Sequence, residues 1–253
     1  ERILNEKYGV QNAHTIYNMM DIQDNIKMSQ EELPHEYKEL LDSYDKEHFD
    51  FINLGRLNKQ KGQWFLIRCF RRVVDKHPHS QLIILGEGDL RIKLEDLVSK
   101  LDLDENIHLI GEQKNIFPFL KNSQCFVLSS LWEGLPMALI EALSMNLPTI
   151  STDCKTGPRE ILCPELELEE VVDYPYLGEY AVLNESFPNK EIFEDLDEVP
   201  LIKSEEKLAD LMIRMIEDNQ FKRNYINGLD LALKFDNKKI LKQWMKLIEN
   251  LKQ

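Results

Sequence analysis

The sequence has no long hydrophobic run, and its N-terminus has neither a basic start nor an apolar signal core. A bilayer-spanning helix needs about 18 or more consecutive apolar residues, so neither a transmembrane segment nor a secretion signal is predicted. With 253 residues and 43% hydrophobic content, the chain can bury one large core or two smaller ones, and we expect a globular, cytoplasmic protein. The first residue is Glu1 rather than Met, which suggests a piece of a longer protein.

Cysteine is scarce and basic charge is in deficit. The four cysteines lie far apart, with none of the CxxC spacings that mark zinc or redox sites, so we expect reduced, mostly buried thiols. Lysine and arginine number 31 against 45 acidic residues, which gives a formal net charge of −14. This balance argues against nucleic acid or an anionic membrane surface as a direct partner, and any bound anion must be held by local groups.

Short apolar runs alternate with longer amphipathic ones from Phe49 onward, beginning with FDFINLG and a helical stretch from Gly62 to Lys76. Apolar strands separated by helices at this rhythm indicate βαβ units. The sequence therefore predicts an α/β fold, a Rossmann-like doubly wound parallel sheet covered by helices on both faces. From Ser204 to the end the pattern is helical.

Three parts are predicted along the chain. Residues 1–48 are polar and acid-rich after a possible strand end, HTIYN, and are interpreted as a connector. Residues 49–235 form the α/β domain, in which the acidic, proline-punctuated insertion 164–200 is interpreted as an elaborated surface loop with one strand-like island, EYAVL. Residues 236–253 form a C-terminal helix.

The motif GRLNKQKG follows the first predicted strand and opens a helix. Parallel sheets bind ligands at the carboxyl ends of their strands, where a helix N-terminus is positive. Arg56 and Lys61 add two full charges there, a pair that suits a diphosphate. From spacing alone, two ordinary surface cations explain the motif equally well.

Paired glycines follow the next strand in LGEGD, at Gly86 and Gly88. Such glycines allow a backbone to approach a ligand closely, or simply make a tight turn, which is the commoner explanation. The motif is not the full GxGxxG pattern, so it does not predict NAD binding.

Two glutamates lie in SSLWEGLPMALIEALS, with Glu133 before the turn and Glu141 within the helix that Pro136 is predicted to start. Both carboxylates could face one crevice and accept hydrogen bonds from sugar hydroxyls, while free amides at the helix start could hold phosphate or sugar oxygens. The residues with those amides are Leu135, Met137 and Ala138. For either glutamate alone, a loop position or a solvent-facing helix position is the simpler explanation.

Taken in order, GRL-x3-KG, the strand with GxG, EG-x-P with a second glutamate, and PTISTD resemble glycosyltransferase family 4 and its retaining, two-lobed GT-B relatives. The resemblance covers residues 49–161 and extends weakly to both ends. It implies that the chain is the second, donor-binding lobe, that residues 1–48 include the end of the first lobe, and that the helix around Trp244 braces the first lobe. Asn146 stands where the family usually has glycine, and DCKTGPREIL replaces a Gly-Gly turn.

The resemblance also implies roles for single residues. Arg56 and Lys61 would neutralise the departing diphosphate, Glu141 would bind ribose, Glu133 would contact the transferred sugar, and the segment from Ile110 to Asn115 would border the base. The remaining donor-binding candidates are Gly55, Gly86, Gly88, Gly111, Gly134, Leu135, Met137 and Ala138. No cofactor and no metal ion are expected, since two fixed cations can stabilise a leaving diphosphate as a metal would.

The implied function is transfer of a hexose or N-acetylhexosamine, with UDP as the expected nucleotide of the donor, with retained configuration to a glycan or lipid-linked acceptor in surface polysaccharide or glycolipid synthesis. Free activity is not expected without the first lobe, and membrane association is conceivable only for the full-length protein. Alternatives are a sugar-nucleotide epimerase of the same architecture, a non-catalytic nucleotide-binding module, and a generic α/β domain.

Overall fold

A computed structural model describes residues 2–11, 13–41, 48–154, 156–190, 193 and 195–250. Within these residues the chain forms twelve α-helices and seven β-strands. The strands are β1 Phe49–Leu54, β2 Ser80–Leu85, β3 Ile107–Gly111, β4 Cys125–Leu128, β5 Thr149–Thr152, β6 Tyr176–Leu177 and β7 Val182–Asn184. The helices are α1 Arg2–Tyr8, α2 Ile22–Met28, α3 His35–Leu41, α4 Gln63–Lys76, α5 Arg91–Lys100, α6 Phe117–Asn122, α7 Met137–Ser144, α8 Pro158–Leu162, α9 Lys203–Glu217, α10 Asn219–Arg223, α11 Gly228–Ala232 and α12 Asn237–Asn250.

The strands form one sheet in the order β3-β2-β1-β4-β5-β7-β6, in which every pairing except β6 with β7 is parallel. The order reverses between β1 and β4, and the crevice outside the carboxyl ends of the strands at such a point is where doubly wound sheets bind ligands. The predicted Rossmann-like α/β fold is confirmed.

Strand β1 shows why this sequence forms a sheet that is covered on both sides. All six of its residues are buried, as expected for a central parallel strand. Successive side chains point to opposite faces. Phe51 accordingly joins the core cluster on one face, together with Trp64 and Phe70 of α4, whereas Ile52 joins the cluster on the other face.

The predicted surface loop at residues 164–200 contains two strands: β7 overlaps the strand-like island EYAVL, whereas β6 was not predicted. Strand β7 pairs parallel with β5 and carries β6 as the sheet edge. A buried cluster beside it anchors the insertion, since Arg159 pairs with Asp153 and donates to the carbonyl of Glu170 at 2.6 Å. Tyr174 donates to the same Asp153 carboxylate at 2.6 Å. The acidic stretch is therefore fastened to the end of β5.

The N-terminal segment differs from the expected connector in its packing. Residues 14–18, a possible strand end by sequence, are not in a strand. Met20 forms one isolated parallel bridge with Asp236, and Ile22 of α2 is fully buried in the core. Part of the segment thus belongs to the packed domain, while the proposed boundaries at residues 48 and 235 stay predictions.

Helix α12 is largely exposed. It buries only Ile240 and exposes Leu241, Trp244, Met245 and Ile248 to between 44% and 59%. Its role in bracing the first lobe stays a prediction.

Across the part of the chain that the structure describes, no helix combines the length and apolar character needed to cross a bilayer. All four cysteines are buried and free, as predicted.

A buried ion pair joins α4 to α9. Arg68 Nη1 lies 3.0 Å from Glu205 Oε1, and both side chains are at most 5% exposed. The guanidinium also donates to the carbonyls of Val199 and Pro200 at 2.8 and 3.0 Å. The second carboxylate oxygen accepts from the backbone N–H of Ile202 at 2.7 Å. Burial raises the pKa of Glu205, so this carboxylate depends on its partners to stay charged.

We predict that Arg68→Met destabilises the fold by about 3–5 kcal/mol, because it leaves Glu205 buried and uncompensated. Urea unfolding measures the change. Arg72→Met is the matched control on the same helix, because Arg72 pairs with Asp210 in an exposed position and its loss should cost less than about 1 kcal/mol. Equal costs for the two variants would contradict the assignment.

Candidate active site

The loop from β1 to α4 places Lys61 at the point where the strand order reverses. Asn58 caps a short 3-10 turn by accepting from the N–H of Lys61, and Gly62 adopts a left-handed conformation with φ of 60°. Gly62 fits tightly, because an added Cβ would lie 2.6 Å from the carbonyl oxygen of Ser129. Ser129 in turn donates to the carbonyl of Lys61 at 2.8 Å. The loop is therefore held against the end of β4.

Lys61 and Glu133 are in direct contact. The Nζ of Lys61 lies 2.5 Å from Oε1 of Glu133, and their side chains are 16% and 6% exposed. Two more groups donate to this carboxylate: Ser130 Oγ to Oε1 at 2.6 Å and Gln60 Nε2 to Oε2 at 3.2 Å. The sequence placed both charged residues at one sheet edge, and the structure brings them together as an ion pair.

Glu141 lies on the first turns of α7, and its carboxylate also experiences the charge of Lys61. Burial raises the pKa of Glu141, and the nearby Lys61 ammonium opposes the rise. In the described chain no protein group donates a hydrogen bond to this carboxylate. Lys61 thus pairs with Glu133 and acts electrostatically on the carboxylate of Glu141, which accepts no hydrogen bond from the described residues.

A cavity of about 470 Å³ opens beside Lys61 at the carboxyl ends of β1, β2 and β3. Arg56 is exposed at its rim, and in the described chain its guanidinium forms no ion pair. The lining residues are Leu54, Gly55, Arg56, Leu85, Gly86, Glu87, Glu112, Gln113 and Ile116. The arrangement can hold an elongated anion whose charge meets Arg56 and Lys61 and whose uncharged end enters the cavity.

The paired glycines after β2 serve loop packing. A Cβ at Gly86 would lie 2.1 Å from the carbonyl oxygen of Gly55, and one at Gly88 would lie 2.3 Å from that of Leu57. These contacts let the loops after β1 and β2 pass closely together. Gly86 lines the cavity as well, whereas Gly88 does not. Gly134 differs from both, because a Cβ there would meet nothing within 4 Å.

The start of α7 lies one residue later than predicted. Pro136 is the N-cap, with extended backbone and no side-chain capping bond, and the helix begins at Met137. The amides of Met137 and Ala138 therefore have no carbonyl one turn earlier to bind. Together with Leu135 and exposed Gly134 they follow Glu133 closely in the chain, and their role toward a ligand stays a prediction.

The predicted base-bordering segment is only partly in the cavity. Ile110 and Gly111 line a neighbouring groove, and Asn115 lines another. Asn115 uses its amide within the protein, donating at 2.9 Å to the carbonyl of Met28 and to Glu31. The residues between them, Glu112 and Gln113, line the cavity itself.

Sequence reasoning did not single out Ser130 and Gln60. Their signals, SSLWEG and NKQKG, flank the predicted residues, but neither shows that the two side chains meet at Glu133. Among the described residues no cluster of three or more His, Cys, Asp or Glu side chains could hold a metal ion. The expectation of a metal-independent site stays a prediction.

Residues 37–167 match the family of group 1 glycosyl transferases. The chain is 55% identical, over 92% of its length, to an uncharacterized glycosyltransferase of Methanocaldococcus jannaschii, of which it covers 56%. The chain belongs to the group 1 glycosyl transferases. The resemblance to glycosyltransferase family 4 is confirmed.

Two further comparisons extend this result. The glycosyltransferase chain is 27% identical, over 78% of its length, to the N-acetylgalactosamine-N,N'-diacetylbacillosaminyl-diphospho-undecaprenol 4-alpha-N-acetylgalactosaminyltransferase of Campylobacter jejuni, of which it covers 46%. Anabaena HepE, solved in complex with UDP, has the same fold, with a TM-score of 0.69 and 17% identity over 94% of this chain and 57% of that one. The chain thus spans about half the length of the proteins it matches.

We predict that Gly86→Ala lowers the stability of this glycosyltransferase chain by about 1–3 kcal/mol or more, because φ of 139° and the carbonyl of Gly55 both exclude a Cβ. Gly134→Ala is the control, since it adds the same methyl group to open space and should change stability by less than about 0.5 kcal/mol. Thermal and urea unfolding measure both variants. A Gly86→Ala protein as stable as the control would refute the close contact of the two loops.

Proposed function

We propose that this chain is the donor-binding part of a retaining glycosyltransferase that uses a nucleotide diphosphate sugar, with UDP as the nucleotide. The observation that carries the proposal is the part-buried Lys61–Glu133 ion pair, whose lysine also acts electrostatically on Glu141, with Arg56 exposed at the rim of the adjacent cavity. An acidic protein that holds two cations at the reversal point of its sheet has a local site for a diphosphate.

In the proposed reaction the bond between the sugar's anomeric carbon and the diphosphate oxygen breaks, and the acceptor hydroxyl forms its bond on the same face. Negative charge grows on the departing diphosphate, where Arg56 and Lys61 stabilise it. The acceptor's proton passes to the departing diphosphate oxygen. No protein nucleophile is needed, and Glu133 acts by positioning the sugar rather than as a base.

Glu141 is proposed to accept hydrogen bonds from the ribose hydroxyls. Its side chain is half-buried and its carboxylate accepts no hydrogen bond from the described residues, which costs free energy that a bound ribose would recover. Acidic residues serve the ribose in other doubly wound folds. The adjacent cavity is then the proposed place of the base, and the choice of UDP rests on the family and on the UDP complex of HepE.

The transferred group and acceptor are proposed from the relatives. A hexose or N-acetylhexosamine is proposed as the sugar, and a glycan or lipid-linked saccharide of surface polysaccharide or glycolipid synthesis as the acceptor, in line with the Campylobacter relative's name. Because the chain covers 56% of its Methanocaldococcus relative, we propose that the complete reaction requires a longer protein. We propose that it acts in the cytoplasm, at the membrane face if the acceptor is lipid-linked.

The diphosphate assignment predicts that Arg56→Ala and Lys61→Ala each weaken UDP binding about tenfold or more, because each removes a charge-assisted contact. Calorimetric titration in EDTA measures the affinity, and the melting temperature verifies folding. Lys59→Ala is the control, since it removes one cation from the same 3-10 turn without a contact to Glu133. Normal UDP binding by either site variant would exclude the diphosphate role of that residue.

The ribose assignment predicts that Glu141→Gln weakens UDP binding but leaves inorganic diphosphate unaffected. The amide keeps the size of the side chain and removes the charged acceptor, so the loss should be about tenfold for the nucleotide alone. Competition between the two ligands in one titration series gives both affinities. An equal loss for both would place Glu141 at the phosphates instead.

A further inference from the structure

The carboxylate of Glu133 accepts hydrogen bonds from three side chains, and these donors are divided unequally between its two oxygens. Oε1 accepts from Lys61 at 2.5 Å and from Ser130 at 2.6 Å, whereas Oε2 accepts, among the described residues, only from Gln60 at 3.2 Å. A carboxylate oxygen has about two lone-pair sites. Oε1 is therefore saturated by the protein, and Oε2 keeps one site open for a ligand hydroxyl.

The three hydrogen bonds to Glu133 differ in how readily a ligand or water can replace them. Lys61 is shared with any diphosphate in the crevice, and Gln60 is part-exposed and also donates to the carbonyl of Trp132 at 3.0 Å. Ser130 is fully buried, so water cannot replace its hydroxyl. The Ser130–Glu133 bond is thus the one that a bound donor leaves unchanged.

Ser130 is itself held from the neighbouring strand. Its carbonyl oxygen accepts from Thr152 Oγ1 at 2.6 Å and from Cys154 Sγ at 3.0 Å. Both donors are at or just beyond the end of β5, and both are buried. The rigid pair of strands β4 and β5 therefore determines where the Ser130 hydroxyl lies.

We propose that Ser130 is a positioning residue for the donor sugar: it fixes Oε1 of Glu133 so that Oε2 faces the sugar hydroxyl. This inference rests on the proposed function, because it takes from there that Glu133 contacts the sugar. Because Ser130 is fully buried, its side chain is not exposed to a nucleotide or a diphosphate in the crevice. Its effect is on the sugar-dependent part of the binding free energy.

The test is calorimetric titration of the whole chain in EDTA with UDP and with one UDP-sugar. The UDP-sugar is whichever of UDP-glucose and UDP-N-acetylglucosamine binds the unmodified chain more tightly. Ser130→Ala should lower the ratio of UDP-sugar affinity to UDP affinity about fivefold or more, while UDP affinity stays within about twofold. Glu133→Gln should lower the same ratio. Adding Ser130→Ala to Glu133→Gln should lower it no further, since both act through one contact.

Ser129→Ala is the matched control, a buried neighbour with the same chemical change. Its hydroxyl binds the carbonyl of Lys61, so any loss of affinity falls equally on UDP and UDP-sugar and leaves the ratio unchanged. An unchanged ratio in Ser130→Ala, or an equal change in Ser129→Ala, overturns the positioning role while the proposed function stands. Failure of the unmodified chain to bind either ligand overturns the proposed function and this inference together.

Discussion

The Lys61–Glu133 ion pair is the interaction on which the candidate site depends. It closes the reversal point of the sheet by joining the loop after β1 to the segment after β4, two regions 72 residues apart in sequence. Hydrogen bonds on both sides extend this link, because Leu131 donates to the carbonyl of Gln60 at 2.7 Å and Ser129 to that of Lys61. The site is therefore built before any ligand binds, which lowers the cost of ordering it.

The electrostatics of the crevice follow from this arrangement. A chain with a net charge of −14 repels anions at long range, so binding a diphosphate requires local cations that outweigh the field. Lys61 is part-buried against Glu133, where its charge is less screened than at the surface. A diphosphate would compete with Glu133 for this lysine, whereas Arg56 offers its charge directly. Arg56 would thus favour binding of the diphosphate, whereas the competition of Glu133 for Lys61 would favour its release.

The fold and most of the charged residues could be predicted from the sequence, because they depend on local patterns. Largely apolar strands such as β1, amphipathic helices such as α4 and a glycine-containing turn carry their own signals. Strand β7 has only three residues within an acidic stretch, so its pairing with β5 was not visible. The hydrogen bonds of Ser130 and Gln60 to Glu133, and the burial of Glu141, arise from tertiary contacts that spacing does not encode.

The most direct test of the proposed donor site is calorimetric titration of this chain with UDP, GDP and ADP in EDTA, repeated with Mg²⁺. We expect saturable binding of one nucleotide, UDP, with the same affinity whether or not the metal is present. Absence of binding by all three, or binding that requires Mg²⁺, would contradict the claim that Arg56 and Lys61 form a metal-independent donor site within this chain.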